Sequence, residues 1–272
     1  MEIAVAVEGD WPDFLVLAKD EGWRVPPVEE ALLTGVLAPC VSVLRQQGAA
    51  CGFVSAVCHG RNGWIGNLIV APAARRRGYG ERLFAHALAA LEERGARSLW
   101  LTASELGRPL YERHGFVAVD GIERWISPPR ARKPSVPAAI HGATEALSAA
   151  DRRAWGERRL LLLGALTASG QPFACKETVA LLQGGRDLQV LGPWYSATCC
   201  PRENRQVLSA LLAAADPEVE IACDLLASSP LRSLLAAAGF APVGGAALMV
   251  SGDRAGVDLR RVMALASLGS MG

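Results

Sequence analysis

The hydrophobic pattern changes period once between Trp64 and Gly95. Residues 64–70 form a short apolar run with β-branched members, the mark of a buried strand. Pro72 ends it, because proline cannot donate to a ladder. From Glu81 the apolar positions Leu83, Phe84, Ala87, Leu88 and Leu91 recur at helical spacing, and Gly95 fits a C-cap. Upstream, the pattern predicts helices over 13–20 and 28–37, strands over 41–45 and 51–58, and a hairpin loop over 59–63. Downstream it predicts a strand over 98–103, then a short helix with Pro109 in its first turn and Gly115 as its cap. Residues 117–127 read as two edge strands around Asp120 and Gly121. This order predicts an α/β chain with a mixed sheet.

A second half repeats the first in outline. Pro230 and Leu231 lead to Gly239-Phe240 and a strand over 242–251, as Pro109 and Leu110 lead to Gly115-Phe116 and residues 117–127. Residues 188–195 are the expected counterpart of the central strand, and 203–215 of the central helix. Between the halves, Pro128, Pro129, Pro134 and Pro137 alternate with Arg130, Arg132 and Lys133. Such a stretch is stiff and polar, unsuited to a core. The expected organisation is therefore a first domain at 1–127, a proline-rich linker at 128–140 and a second domain at 141–272.

The 272 residues suit one large or two medium domains, and 51% hydrophobic residues are ample for their cores. The formal net charge of +1 argues against a spread nucleic-acid-binding surface. No apolar run reaches the roughly 18 residues of a membrane span, and the acidic N-terminal stretch lacks a basic n-region. Seven cysteines, with no Cys-x-x-Cys and no neighbouring His cluster, fit reduced thiols in a cytoplasmic protein better than a disulfide framework. No metal site is expected.

Chemistry concentrates between the strand and the helix, at Arg75-Arg76-Arg77-Gly78-Tyr79-Gly80. A helix start leaves about four backbone N–H groups without partners and carries roughly half a positive charge. Gly78 and Gly80 lack Cβ atoms, so a pyrophosphate could approach those amides closely. The loop is neither a Walker loop nor a Rossmann fingerprint. The corresponding stretch of the second half, residues 198–205, has no glycine and places Pro201 and Glu203 there instead, so it offers no such cradle.

Val70-x-Pro72-x-x-Arg75-x-x-Gly78-x-Gly80 resembles the acyl-CoA-binding motif of the GNAT N-acetyltransferase superfamily. Downstream, Leu101-x-Ala103-Ser104-x-x-Gly107-Arg108-Pro109-Leu110-Tyr111-Glu112-Arg113-x-Gly115-Phe116 is similar to that family's second motif. Together they cover about residues 64–116 in the family's order and spacing. The second half resembles the degenerate C-terminal domain of tandem-GNAT proteins, on Gly192-Pro193-Trp194-Tyr195 and on Asp151 with Gly156 and Arg159.

The resemblance implies a catalytic GNAT domain followed by a degenerate copy, with acetyl-CoA as acyl donor and a small-molecule or peptide amine as acceptor. It implies that Leu68, Ile69, Val70 and Ser104, with Arg75, Arg76, Arg77, Gly78, Tyr79 and Gly80, hold the cofactor, and that Tyr111 protonates or stabilises the leaving thiolate. A phenol with a pKa of about 10 is protonated at neutral pH. Relatives that carry a base on the central strand have Glu where this chain has Gly66 and Asn67, and Thr102 stands where many carry Asp. The base is therefore open: Glu21 or a water chain is considered, whereas His59 and His114 read as a turn and a helix-end residue. Trp23, Asn67 and Trp194 are candidates for the acceptor pocket, and Trp11 and Trp155 read as packing. A non-catalytic acyl-CoA-binding module is the alternative, and a nucleic-acid binder using Arg75–Arg77 is disfavoured by the neutral charge.

Overall fold

A computed structural model describes residues 1–129, 143–254 and 256–272. The first half runs β1 (Glu2–Val5), α1 (Trp11–Asp20), α2 (Pro27–Thr34), β2 (Val41–Gln46), β3 (Ala49–His59) and β4 (Asn62–Val70). It continues with α3 (Tyr79–Glu93), β5 (Ser98–Ala103), α4 (Arg108–Arg113) and β6 (Val117–Ser127). The second half comprises α5 (Ala143–Trp155), α6 (Leu160–Ser169), β7 (Gly170–Cys175), β8 (Thr178–Gln183), β9 (Gln189–Ser196) and α7 (Pro201–Ala214). β10 (Ile221–Leu226), α8 (Arg232–Ala237), β11 (Ala241–Gly252) and β12 (Val262–Ala264) follow. The expected α/β class with a mixed sheet and two similar halves is what the chain forms. Most of the expected linker, from Arg130, lies outside the described residues.

All twelve strands join one sheet, in the order β1-β2-β3-β4-β5-β11-β6-β10-β12-β9-β8-β7. The helical stripe of α3 explains its seat: Leu83, Phe84, Ala87 and Leu91 are all buried against Val54, Ile65 and Leu101. Each such side chain contributes about 1.5–3 kcal/mol on burial.

The halves exchange strands. β11 lies between β5 and β6, with Met249 opposite Leu101 and Ala246 opposite Ile122. β6 then pairs with β10, which sets Asp224 opposite Arg124. This corrects the expectation of two edge strands over 117–127: β6 is one 11-residue strand inside the sheet. Asp120 does not turn the chain there; its carboxylate accepts from Gly121 N and Ser228 N. Gly121 is required by closeness instead, since a Cβ would stand 2.9 Å from Ala227.

In each half two parallel strands begin together and then separate. β4 and β5 pair only at Asn62–Ser98, Gly63–Leu99 and Trp64–Trp100. β9 and β10 pair only at Gln189–Ile221 and Val190–Ala222. In the second half β12 fills the resulting wedge, with Val262 opposite Tyr195 and Ala264 opposite Leu225. Among the described residues no strand fills the wedge between β4 and β5.

Candidate active site

The open wedge is part of a cleft of about 940 Å³ between the halves. One wall is β4, which carries a bulge. Its register against β3 slips between Ile69–Phe53 and Gly66–Ser55, leaving Asn67 and Leu68 opposite Val54. Asn67 adopts φ +53°, a left-handed conformation that asparagine tolerates better than most residues. Its Nδ2 donates to Ser55 Oγ at 3.3 Å. The bulge turns this part of the strand away from a regular ladder.

At the end of β4 the chain enters α3 through Gly78, whose φ of +76° disfavours a side chain. No side chain caps the helix, and the space beside Gly78 is open. Gly80 would bring a Cβ no closer than 3.9 Å to Val70. The start of α3 is therefore left without a side-chain cap and without crowding at either glycine. Leu68, Ile69, Val70, Arg75, Arg76, Gly78, Tyr79 and Gly80 all border the cleft. Arg77 does not. Arg75 is committed elsewhere: its Nε donates to Val70 O at 2.9 Å, and its Nη2 pairs with Glu21. That pair occupies the carboxylate considered above as a base.

Tyr111 on α4 borders the same cleft, as does Ser104. Its ring is fixed against Phe84 at 5.0 Å and Phe116 at 6.4 Å. The phenol has no hydrogen-bond partner among the described residues, and burial pushes its pKa up to about 12. A donor that is both protonated and unengaged is suited to a developing anion.

Towards the second half the cleft turns polar. Arg124 of β6 makes a two-pronged ion pair with Asp224 of β10, at 2.7 and 2.8 Å, and also donates to Leu268 O at 3.0 Å. Residues 265–272 run along this wall. Trp64 Nε1 and Thr102 Oγ1 both donate to Gly269 O, at 3.2 and 3.1 Å. A Cβ on Gly66 would collide with Ser270 O at 2.2 Å, so only glycine admits this segment beside β4. Glu29 of α2 completes the wall: it is 4% exposed and lines the cleft.

Burial pushes the Glu29 carboxyl up to about 7, against the opposing pull of nearby Ser270 and Arg124. The folded protein therefore holds this proton more tightly than the unfolded chain, whose carboxyl titrates near 4.5. The associated stability is complete below about pH 4.5 and is lost as pH rises through about 7. At most about 3.5 kcal/mol is involved, at about 1.4 kcal/mol for each pKa unit. Glu29→Gln should accordingly raise the unfolding free energy at pH 8 by up to that amount and change little at pH 4. Urea unfolding at both values checks this, and an equal effect at both would remove ionisation as the cause.

Among the pocket candidates, Trp23 and Asn67 border the cleft, Trp23 at its rim with 38% exposure. Trp194 does not. It is fully buried among Leu191, Leu208 and Leu225 in the second-half core, because alternation on the central strand β9 turns it inward. His59 is buried away from the cleft and its pKa is pushed down to about 3 by that burial. His114 contacts Glu81 at the start of α3. Sequence reasoning missed Glu29, Arg124 and Asp224. Their polar character was visible, but nothing local marks them as buried.

None of the helices among the described residues is long and apolar enough to cross a membrane. Residues 38–118 match the family model for the acetyltransferase (GNAT) domain. A comparison with curated proteins finds no match. Among solved structures, a protein from Pyrococcus horikoshii assigned as an acetyltransferase superposes with a TM-score of 0.82 at 18% identity, over 100% of this chain and 95% of that one. A GCN5-related N-acetyltransferase from Sphaerobacter thermophilus gives 0.65 at 16% identity, over 96% and 98%. A tandem GNAT protein from the clavulanic acid biosynthesis pathway gives 0.60 at 17% identity, over 92% and 98%. Residues 38–118 are thus similar to the acetyltransferase (GNAT) domain, and the chain as a whole shares the fold of these tandem structures, including the split between its two parallel strands β4 and β5.

Proposed function

We propose that the protein is an acetyl-CoA-dependent N-acetyltransferase, with residues 1–127 as the catalytic domain, 128–140 as linker and 141–272 as a degenerate copy. The observation that carries this reading is the continuity of the open β4–β5 wedge with the uncapped amides of α3. The residues present fit the donor. The α3 amides at Gly78 and Gly80 would hold the pyrophosphate, with Arg76 adding charge at the rim. The unpaired edge of β4 at Leu68–Val70 would hold the pantetheine arm, with Ser104 across the wedge. Bound there, acetyl-CoA supplies a thioester carbonyl to an amine in a ternary complex. Tyr111 would give its proton to the departing thiolate.

The second half offers no equivalent site on this reading. β12 occupies its wedge, and the first turn of α7 carries a buried Glu203 that accepts from Thr178 Oγ1 at 3.3 Å. A carboxylate there repels phosphates. Calorimetry should therefore saturate at one acetyl-CoA per chain.

Gly80→Asp is the sharper test. The backbone there is helical and the space open, and an acid in a first helical turn stabilises it by about 0.3–1 kcal/mol. The variant should keep its thermal stability and lose acetyl-CoA binding by at least about 100-fold through charge repulsion at short range. Unchanged affinity would remove the pyrophosphate from this turn. Tight binding without CoA release on mixing with amines would mark a non-catalytic acyl-CoA-binding protein instead.

A further inference from the structure

We infer that the acceptor is a small primary alkylammonium ion whose proton is taken by Glu29, at the seam between the two halves; the inference rests on the acetyl-transfer reading above. Two buried oxygens of this cleft, Glu29 Oε2 and Ser270 Oγ, have no hydrogen-bond partner of good geometry among the described residues, although the Ser270 hydroxyl is near enough to Glu29 to stabilise its charged form. Both residues are 4% exposed and both border the cleft that holds Tyr111. A contact between the two leaves most of the acceptor capacity of a carboxylate and a hydroxyl unmet, and unmet buried capacity costs free energy, so the pair marks a place where a ligand completes the bonding. An ammonium carries three N–H donors and can serve both oxygens at once.

Charge selects the same ligand. The charged groups acting on Glu29 from the elements around it are Arg124 of β6 and Asp224 of β10. Arg124 is already engaged by both oxygens of Asp224 and by Leu268 O, so its charge is spent on that pair. An ionised Glu29 leaves this wall with one uncompensated negative charge, which a monocation neutralises. The rim supplies the rest of the selection. Trp23 and Val243 are apolar, exposed and border the cleft, so the ammonium enters first and an alkyl body stays behind it.

The protons balance. One ammonium proton passes to Glu29 Oε2, and the freed amine forms the amide bond as the C–S bond breaks. Tyr111 gives its proton to the thiolate and recovers the remaining surplus proton from nitrogen, and Glu29 returns its own to solvent. A carboxyl held near 7 is matched to this task at neutral pH.

The test uses the full chain with n-hexylamine and with aniline, an aromatic amine that is neutral at pH 7 without a base. Wild-type kcat for hexylamine should rise about tenfold per pH unit below about pH 7 and level above it, while kcat for aniline stays flat. Glu29→Gln should lose about 10²–10⁴-fold in kcat/KM for hexylamine, keep aniline within a few fold, and abolish the inflection. Calorimetry without acetyl-CoA should show hexylamine binding at least about tenfold weaker in the variant, with acetyl-CoA affinity unchanged. Retained hexylamine turnover in Glu29→Gln, or equal loss with both amines, overturns the role of Glu29. Failure of wild type to acetylate hexylamine, or a higher kcat/KM for lysine in an unstructured peptide, overturns the acceptor class. Absence of acetyl-CoA binding in wild type instead defeats the donor reading on which the inference stands. Should the variant not fold, the contrast between the two wild-type pH profiles still decides.

Discussion

Tyr111→Phe is expected to lower kcat by about 10²–10⁴-fold while leaving the dissociation constant for acetyl-CoA unchanged. The expectation follows from what the phenol does and does not touch. Its ring contributes packing against Phe84 and Phe116, which phenylalanine reproduces. Its hydroxyl has no partner to lose among the described residues, so the fold should be indifferent to its removal. What disappears is a protonated donor at the open wedge, and only a developing thiolate would register that loss. Single-turnover measurement separates this step from product release. A kcat within about twofold of wild type, in a reaction limited by chemistry, would take Tyr111 out of the mechanism.

The strand-to-helix turn proposed to hold the donor was legible because its signals are local. A strand, a left-handed Gly78 and an amphipathic helix specify this turn within some thirty residues, and each obeys a short-range rule. Tyr111 was legible for the same reason, as part of a continuous motif. The acceptor side was not. Glu29 sits on α2 in a sequence that reads as an ordinary helix start rich in acid; the polar groups that act on it, Ser270, Arg124 and Asp224, lie far along the chain. Trp194 misled for the converse reason. Its chemistry suits a pocket, but the covering of β9 by β8 and β12 was needed to know which way it points.

The exchange of β6 and β11 was also beyond local reading. A Gly-Phe pair followed by an extended run gives the same pattern whether the strand pairs within its own half or with the other. The consequence is functional. Arg124 and Asp224 come from opposite halves and meet only because β6 and β10 are neighbours. On the reading proposed here, the second half contributes no cofactor site but completes the acceptor wall with Asp224 and Ser270. Thr102, where an acidic residue is common in relatives, instead holds Gly269, and the carboxylates arrive from α2 and β10.

Arg159→Leu is expected to destabilise the protein by about 3–5 kcal/mol, the usual consequence of stranding one member of a buried ion pair. Arg159 is 2% exposed and pairs with Asp151, which is fully buried. Tyr195 Oη donates to Asp151 Oδ2 at 2.7 Å, and the guanidinium lies 4.9 Å from the Trp155 ring. Trp155 in turn meets Trp64 and Trp100 of the first half edge-on, at 6.0 and 5.5 Å. Removing the guanidinium leaves a carboxylate in this apolar seam with one hydroxyl for company. Asp151→Leu/Arg159→Leu should recover much of the loss, because no charge then remains to be desolvated. The single variant has a second consequence. Arg159 Nη1 also donates to Gly272 O at 3.2 Å, and so anchors residues 265–272, the segment that brings Ser270 and Gly269 to the acceptor wall. At a temperature where Arg159→Leu remains folded, KM for the amine should rise on the proposed reading while acetyl-CoA affinity holds, since the partners of Arg159 are Asp151, Tyr195 and Gly272 and not the α3 turn. Urea unfolding and the two affinities measure these effects independently. A loss below about 1 kcal/mol would show that Tyr195 alone satisfies Asp151, and weakened acetyl-CoA binding would show that the seam supports the donor side as well.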